Sequence, residues 1–187
     1  NKGLRYPFTE AGRKQVAQIT LLGERQAILE HELNVIDFVE EKVTYLDQRI
    51  RRLAKSDPDV YRLKSIPGFD VYTAMLFRAE IGDCTRFIRS KQVVAYIGLA
   101  PRVYESGSVR RTGRITKQGS PLLRSALVES AWSAIRCSPT LLKRFNRIAV
   151  KRGRKVAIVA VAAQLARIAY RVLRSREKFS EEKLALG

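Results

Sequence analysis

Histidine is almost missing from this chain of 187 residues: His31 is the only one. That excludes histidine-based zinc sites and Ser-His-Asp chemistry within the chain. Cysteine is equally scarce. Cys84 and Cys137 stand far apart and lack the C-x-x-C spacing of a redox or zinc site, so both read as reduced, buried thiols. No apolar run approaches the roughly 20 residues of a membrane helix. The longest, Val156 to Ala163, soon meets Gln164 and Arg167 and reads as a buried helix, so no membrane partner is expected. No signal-peptide pattern opens the chain. It begins with Asn1 instead of Met, and the expectation is a fragment whose N-terminal part is missing.

Acidic residues are the third scarcity, and a local one. Residues 1–56 hold ten Lys or Arg against eight Asp or Glu, whereas residues 106–176 hold seventeen Lys or Arg and one acid, Glu129. The net charge is +18. A solvated surface mixes signs, so a long stretch almost free of acids points to a face shaped to approach phosphates.

What is present is mostly helical periodicity. Residues 9–56 read as helix. Leu22, Leu29, Ile36, Val43 and Ile50 recur every seven residues, with Val39, Leu46 and Leu53 at the complementary positions. Arg25 and Glu32 weaken the first half of that seam. Gly12 and Gly23 are candidate breaks. The seam fits either an intermolecular coiled coil or a helix hairpin within one chain. Ser56-Asp57-Pro58 is a stop followed by a fresh cap. A short helix then runs into Ile66-Pro67-Gly68, and a second covers about 71–81. This pair looks like a helix-hairpin-helix element, whose turn would offer backbone N–H groups to a phosphate, with Gly68 allowing close approach. An ordinary turn between packed helices is the alternative. Asp70, Glu80 and Asp83 read as caps or solvated acids before they read as metal ligands. Further helices are expected over 90–97, from Pro121 to about Cys137, from Ser138-Pro139 to about Arg152, and over about 154–175.

Between Gly98 and Gly119 the helical period fails. Val103-Tyr104 and Arg114-Ile115-Thr116 fit short strands or an extended hairpin. The segment carries hydroxyls, glycines and basic residues. Arg102, Arg110, Arg111, Arg114, Lys117 and, just beyond, Arg124 are candidate phosphate clamps, because guanidinium groups bind phosphate oxygens in pairs and stabilise charge that develops during phosphoryl transfer. Ser106, beside Gly107, is a candidate nucleophile. With no histidine near, its activation would have to come from Glu105, another domain or a metal held by one. From composition alone the segment is equally a phosphate-binding loop.

Several runs in order carry a family resemblance. They are Ile66-Pro67-Gly68-Phe69; Ala79-Glu80-Ile81-Gly82-Asp83 with Arg86-Phe87; Ala95-Tyr96-Ile97-Gly98-Leu99-Ala100-Pro101; Ser106-Gly107; and Gly113-Arg114-Ile115-Thr116-Lys117-Gln118-Gly119-Ser120 with Leu123-Arg124. Together they resemble the C-terminal transposase domain of the bacterial insertion-sequence "one-ten" family, the DEDD or Piv-type recombinases, most strongly over about residues 60–150. The resemblance implies a mainly α fold. A long heptad-containing helical segment at 1–57 precedes a transposase C-terminal domain at 58–176. That domain starts with the helix-hairpin-helix-like element and holds one irregular basic loop or short hairpin. Apart from the resemblance, the polar composition of 177–187 predicts a flexible tail that frays. The resemblance further implies that Ser106 is the nucleophile, forming a phosphoserine link to DNA before the strand is rejoined. Mg2+ is expected on four acids of an N-terminal domain, with no cofactor in this stretch. The implied partners are DNA, a bridge RNA that guides the enzyme, and further copies in a homodimer or tetramer. The implied location is the bacterial cytoplasm, at the nucleoid. Where the family often has a basic or small residue after Ser-Gly, this chain has Ser108, a neighbouring hydroxyl to be tested beside Ser106. Nothing in the chain looks like a base-reading recognition helix, and an RNA guide would supply sequence recognition through base pairing. The alternative is a non-catalytic DNA- or RNA-binding and dimerisation module.

Overall fold

The computed structural model describes residues 9–106 and 109–182, without the side chains of Glu10, Ala17 and residues 104–112. The fold is mainly α, with a single two-stranded sheet among the described residues. The chain divides into two compact units, Asn1–Arg49 and Ile50–Gly187.

In the first unit, α1 (Glu10–Ala17) is capped by Thr9, whose hydroxyl accepts from the Gly12 amide. Gly12, a candidate break, lies inside this helix. Gly23, the other candidate, does break the chain: it takes a positive φ immediately before α2 (Glu24–Ser56). Arg13 of α1 pairs with Asp37, 2.6 Å away, and with Glu40. Along α2, Phe38, Val39, Val43 and Leu46 are all at least half exposed. The heptad seam therefore remains largely uncovered by its own chain.

The second unit is built on α8 (Arg154–Ser175). Its apolar residues run nearly all round the helix, the pattern of a buried element. By length and composition it is apolar enough to cross a membrane, but twelve of its residues are buried in this core. Ala157, Ala162, Ala166 and Ala169 are fully buried. Their small side chains let α3 (Pro58–Leu63), α5 (Ser90–Ile97), α6 (Pro121–Cys137) and α7 (Pro139–Arg152) all pack on α8. α4 (Val71–Ile81) packs on α3 and α6. Leu63, Ile66, Phe77, Ile81, Ile97, Leu127 and Leu165 are sealed from solvent, each contributing about 1.5–3 kcal/mol relative to exposure.

Local chemistry sets the helix starts. Asp57, Asp70, Ser120 and Ser138 each accept a backbone N–H at the start of α3, α4, α6 and α7. Pro58, Pro121 and Pro139 follow three of these caps, where a missing N–H costs little. Asp83 likewise accepts from the amide and hydroxyl of Thr85 at a short 3-10 helix, Cys84–Arg86. Among the described residues no three His, Cys, Asp or Glu side chains cluster to hold a metal.

Two expectations need correction. The thiols are not both buried: Cys84 is half-buried and Cys137 exposed. Nor do residues 177–182 fray. Lys178 donates to the Tyr61 hydroxyl at 2.8 Å, the Phe179 amide to Ser65 Oγ at 2.8 Å, and Glu181 accepts from Ser138 Oγ at 2.7 Å and from the Thr140 amide at 3.1 Å. Polar composition was misleading here because the carboxylate finds unsatisfied donors at the start of α7. Burial raises the Glu181 carboxyl, but the hydrogen bonds from Ser138 and Thr140 together outweigh it and hold the group below its ordinary value.

Candidate nucleic-acid interface

The irregular basic segment is a β-hairpin. β1 (Pro101–Ser106) pairs antiparallel with β2 (Val109–Ile115), with Glu105 opposite Arg110 and Ser106 opposite Val109. Near the base, Arg102 alone stands against Gly113 and Arg114, a bulge that breaks the register. Ser106 thus lies at the distal end of the ladder. Its side chain and those of Arg110 and Arg111 lie outside the described residues, as do Gly107 and Ser108.

The base of the hairpin is tied to the helical body. The Thr116 amide donates to Ala100 O at 2.9 Å and the Lys117 amide to Gly98 O at 3.0 Å. The two chain segments cross so closely that glycine is required on each. A Cβ on Gly98 would sit 1.9 Å from Gln118 O, and one on Gly119 would sit 2.2 Å from Tyr96 O. Both glycines have positive φ. Ile115 and Ala100 pack against the core from this crossing.

Arg124, read from sequence as a phosphate clamp, has a different neighbourhood. From the first turn of α6 its Nη1 donates to Ile97 O at 3.1 Å, Gln118 O at 2.9 Å and Gly119 O at 3.0 Å. It staples the end of α5 to the strand leaving the hairpin. Arg102 is exposed and, among the described residues, donates a hydrogen bond to Thr116 O at 3.4 Å. Arg114 and Lys117 are exposed beside the same crossing. Lys117 holds a positive φ of 59°, a conformation that costs a non-glycine residue about 1–2 kcal/mol.

Gly68 also has a packing partner. Its positive φ places the bare Cα against α6, where a Cβ would lie 2.2 Å from Ser130 O and 2.9 Å from Ala134 N. The glycine lets the α3–α4 turn press on α6 backbone to backbone. Nearby, Thr73 and Ser130 pair their hydroxyls at 3.2 Å within the core. Helices α3 and α4 flank the Ile66-Pro67-Gly68 turn, and the missing side chain of Gly68 serves a helix contact.

Residues 60–146, from α3 through the hairpin to α7, match the family described as "Transposase IS116/IS110/IS902 family". The matched stretch, residues 60–146, belongs to that transposase family. A probable family 20 transposase of Pseudomonas aeruginosa is 30% identical over 160 residues, covering 83% of this chain and 46% of that protein. The transposase of insertion sequence element IS1111A from Coxiella burnetii is 31% identical over 144 residues, covering 75% of this chain and 40% of its own. The pilin gene-inverting protein of Moraxella lacunata is 32% identical over 148 residues, covering 75% and 46%. The chain thus spans less than half the length of these curated relatives.

Within this transposase region sequence reasoning missed two structural arginines. One is Arg124. The other is Arg86, whose guanidinium lies 4.6 Å from the ring centroids of both Phe87 and Tyr96. The only available signal for Arg124 was its place in the first turn of a helix, close to two glycines whose backbones needed to cross. Spacing does not reveal which carbonyls such a residue will meet.

Proposed function

We propose that this chain is the nucleic-acid-binding and strand-joining part of a DNA transposase, with Ser106 as its nucleophile. The observation that carries the reading is the family match running through a basic hairpin whose base is fixed by two glycine crossings and the Arg124 staple. A rigid base is what positioning catalysis demands of a reactive group at the far end of a strand.

In this reading the Ser106 hydroxyl attacks a DNA phosphorus. A bond from serine oxygen to phosphorus forms as the bond from phosphorus to one sugar oxygen breaks. The serine proton passes to a base, and the leaving sugar oxygen takes one up. Attack by a sugar hydroxyl of a second strand reverses the exchange and frees the serine. One phosphodiester replaces another, so no external energy source is needed. Arg110, Arg111, Arg114, Lys117 and Arg102 supply positive charge to the reacting phosphate and its neighbours. Arg124 acts through the hairpin as a positioning residue, and Gly68 through packing.

The resemblance also implies Mg2+. Among the described residues no three His, Cys, Asp or Glu side chains come together to hold the ion. It belongs in this proposal to an acidic companion domain in a protein of the relatives' full length. The same proposal includes a guide RNA, which would supply the sequence recognition that backbone contacts lack, and assembly into a dimer or tetramer through the exposed seam of α2. Its setting is the bacterial cytoplasm at the nucleoid.

The test is a covalent trap. With the chain carried in a protein of full family length, with RNA and DNA present, the unaltered protein and Ser108→Ala form a protein–DNA adduct that survives denaturation, and Ser106→Ala does not. An adduct from Ser106→Ala overturns the assignment. Salt-sensitive binding with no adduct under any condition makes the chain a binding module only.

A further inference from the structure

A recess of about 610 Å³ opens where the first turn of α5 meets α7 and α8. It is separate from the hairpin: the recess uses the N-terminal end of α5, and the hairpin grows from the C-terminal end, about 12 Å along an eight-residue helix. Its charged lining is Lys91, Lys143, Arg144, Arg147, Arg167 and Arg171, with no acid among them. None of the six forms a described ion pair.

Six like charges in one concavity repel one another, and no ion pair among the described residues neutralises them. The strain is sharpest at Arg144. It is half-buried, and its Nε is closed off from solvent with no hydrogen-bond partner. Burial, then the charges of Arg167 and Arg147, pull its pKa below the ordinary arginine value. A buried, unpaired N–H on a charged group is costly unless an anion meets it. Arg167 spends one Nη on Gln164 Oε1 at 3.4 Å, which holds the guanidinium without neutralising it.

The rest of the lining narrows the ligand class. It contains no aromatic side chain, and Leu141 is its only apolar member. A nucleobase would find nothing to stack on. Lys91, Lys143, Arg147 and Arg171 are exposed around the rim, while Arg144 and Arg167 lie deeper. This suits a chain of anions that passes through, with one phosphate seated and its neighbours contacted at the edge. We infer that the α5–α7–α8 recess is a second nucleic-acid site. It grips consecutive backbone phosphates of one strand independently of base sequence, and it lies apart from the hairpin. The inference rests on the nucleic-acid reading above and adds to it a location and a set of residues.

The experiment is binding of short labelled DNA and RNA duplexes across about 0.05–0.2 M NaCl. It compares the unaltered chain with Lys143→Ala/Arg147→Ala, whose side chains are exposed, and with Arg144→Gln. A control, Lys151→Ala/Arg152→Ala, removes the same charge from the last turn of α7, outside the recess. The rim pair is expected to weaken binding about tenfold and to flatten the plot of log K against log salt by roughly 1.8 on duplex DNA. Arg144→Gln is expected to weaken binding with its melting temperature retained or raised, because an uncompensated charge is removed. The control is expected to have little effect. A response on DNA only, or RNA only, identifies which strand uses the site. Unchanged binding of both duplexes by the rim pair overturns the inference, as does an equal loss from the control. So does competition by inorganic tripolyphosphate combined with no duplex response, which would mark a small-anion pocket. If the unaltered chain binds neither duplex, the broader nucleic-acid reading fails first, and the two failures are distinguishable.

Discussion

Replacing Arg124 separates a structural staple from a phosphate ligand. One Nη1 with two protons serves three carbonyl oxygens at 2.9–3.1 Å, so at most two full charge-assisted bonds are present. Each is worth about 1.5–3 kcal/mol. Arg124→Ala removes both and leaves three carbonyls without their donor. The cost to the helical unit is therefore expected at about 3–5 kcal/mol. For a domain of this size that lowers the melting temperature by roughly 6–20 °C. Arg124→Lys keeps the charge but not the fork, and should recover less than half of the loss. Hydrogen exchange at the Thr116 and Lys117 amides should quicken in both variants, because these amides close the crossing that Arg124 holds. Thermal melts, exchange and DNA binding on the same samples complete the assay. The reasoning is refuted if Arg124→Ala melts within about 1 °C of the parent while losing affinity for DNA, because the guanidinium would then be a free phosphate contact.

Further expectations follow from the same contacts. Gly68→Ala places a Cβ against Ser130 O at a positive φ and should destabilise the unit by about 3 kcal/mol or more in urea melts; a neutral result would argue for a free turn. Val43→Asp lies on the exposed seam of α2 and should leave the melt of a single chain unchanged while light scattering shows loss of an assembly that burial of such residues holds by about 1.5–3 kcal/mol each; an unchanged mass removes the seam as an interface. Glu181 sits below its ordinary pKa when folded. Its contribution is therefore present above the unfolded carboxylate value and is lost as pH falls through the depressed folded value. Glu181→Gln should be less stable than the parent near neutrality, and the difference should shrink as urea melts are taken to acid. A gap that widens in acid contradicts the tail contact.

Much of the helical skeleton was legible from residues with strong local preferences. Asp57-Pro58, Ser120-Pro121 and Ser138-Pro139 start helices because their side chains satisfy amides that the helix cannot, and Gly98 and Gly153 end them. The hairpin was visible as a loss of helical period. Its register was not, because a bulge at Gly113 and Arg114 follows from how two strands meet. Long-range polar contacts were the least legible. Arg124 and Arg102 have the same side chain in the same basic stretch, yet one is consumed by carbonyls and the other is exposed. The recess gathers Lys91 from α5, Arg144 from α7 and Arg167 from α8. No spacing rule joins residues that only tertiary packing brings together. The docking of Lys178, Phe179 and Glu181 is hidden for the same reason.

The most direct test of the central claim is to identify the atom bonded to DNA. A phosphorothiolate substrate that blocks rejoining should trap the full-length protein on the strand, and peptide mass spectrometry should find the nucleotide on Ser106. Cleavage and rejoining with no protein attached, or with the nucleotide on a different side chain, would contradict the account.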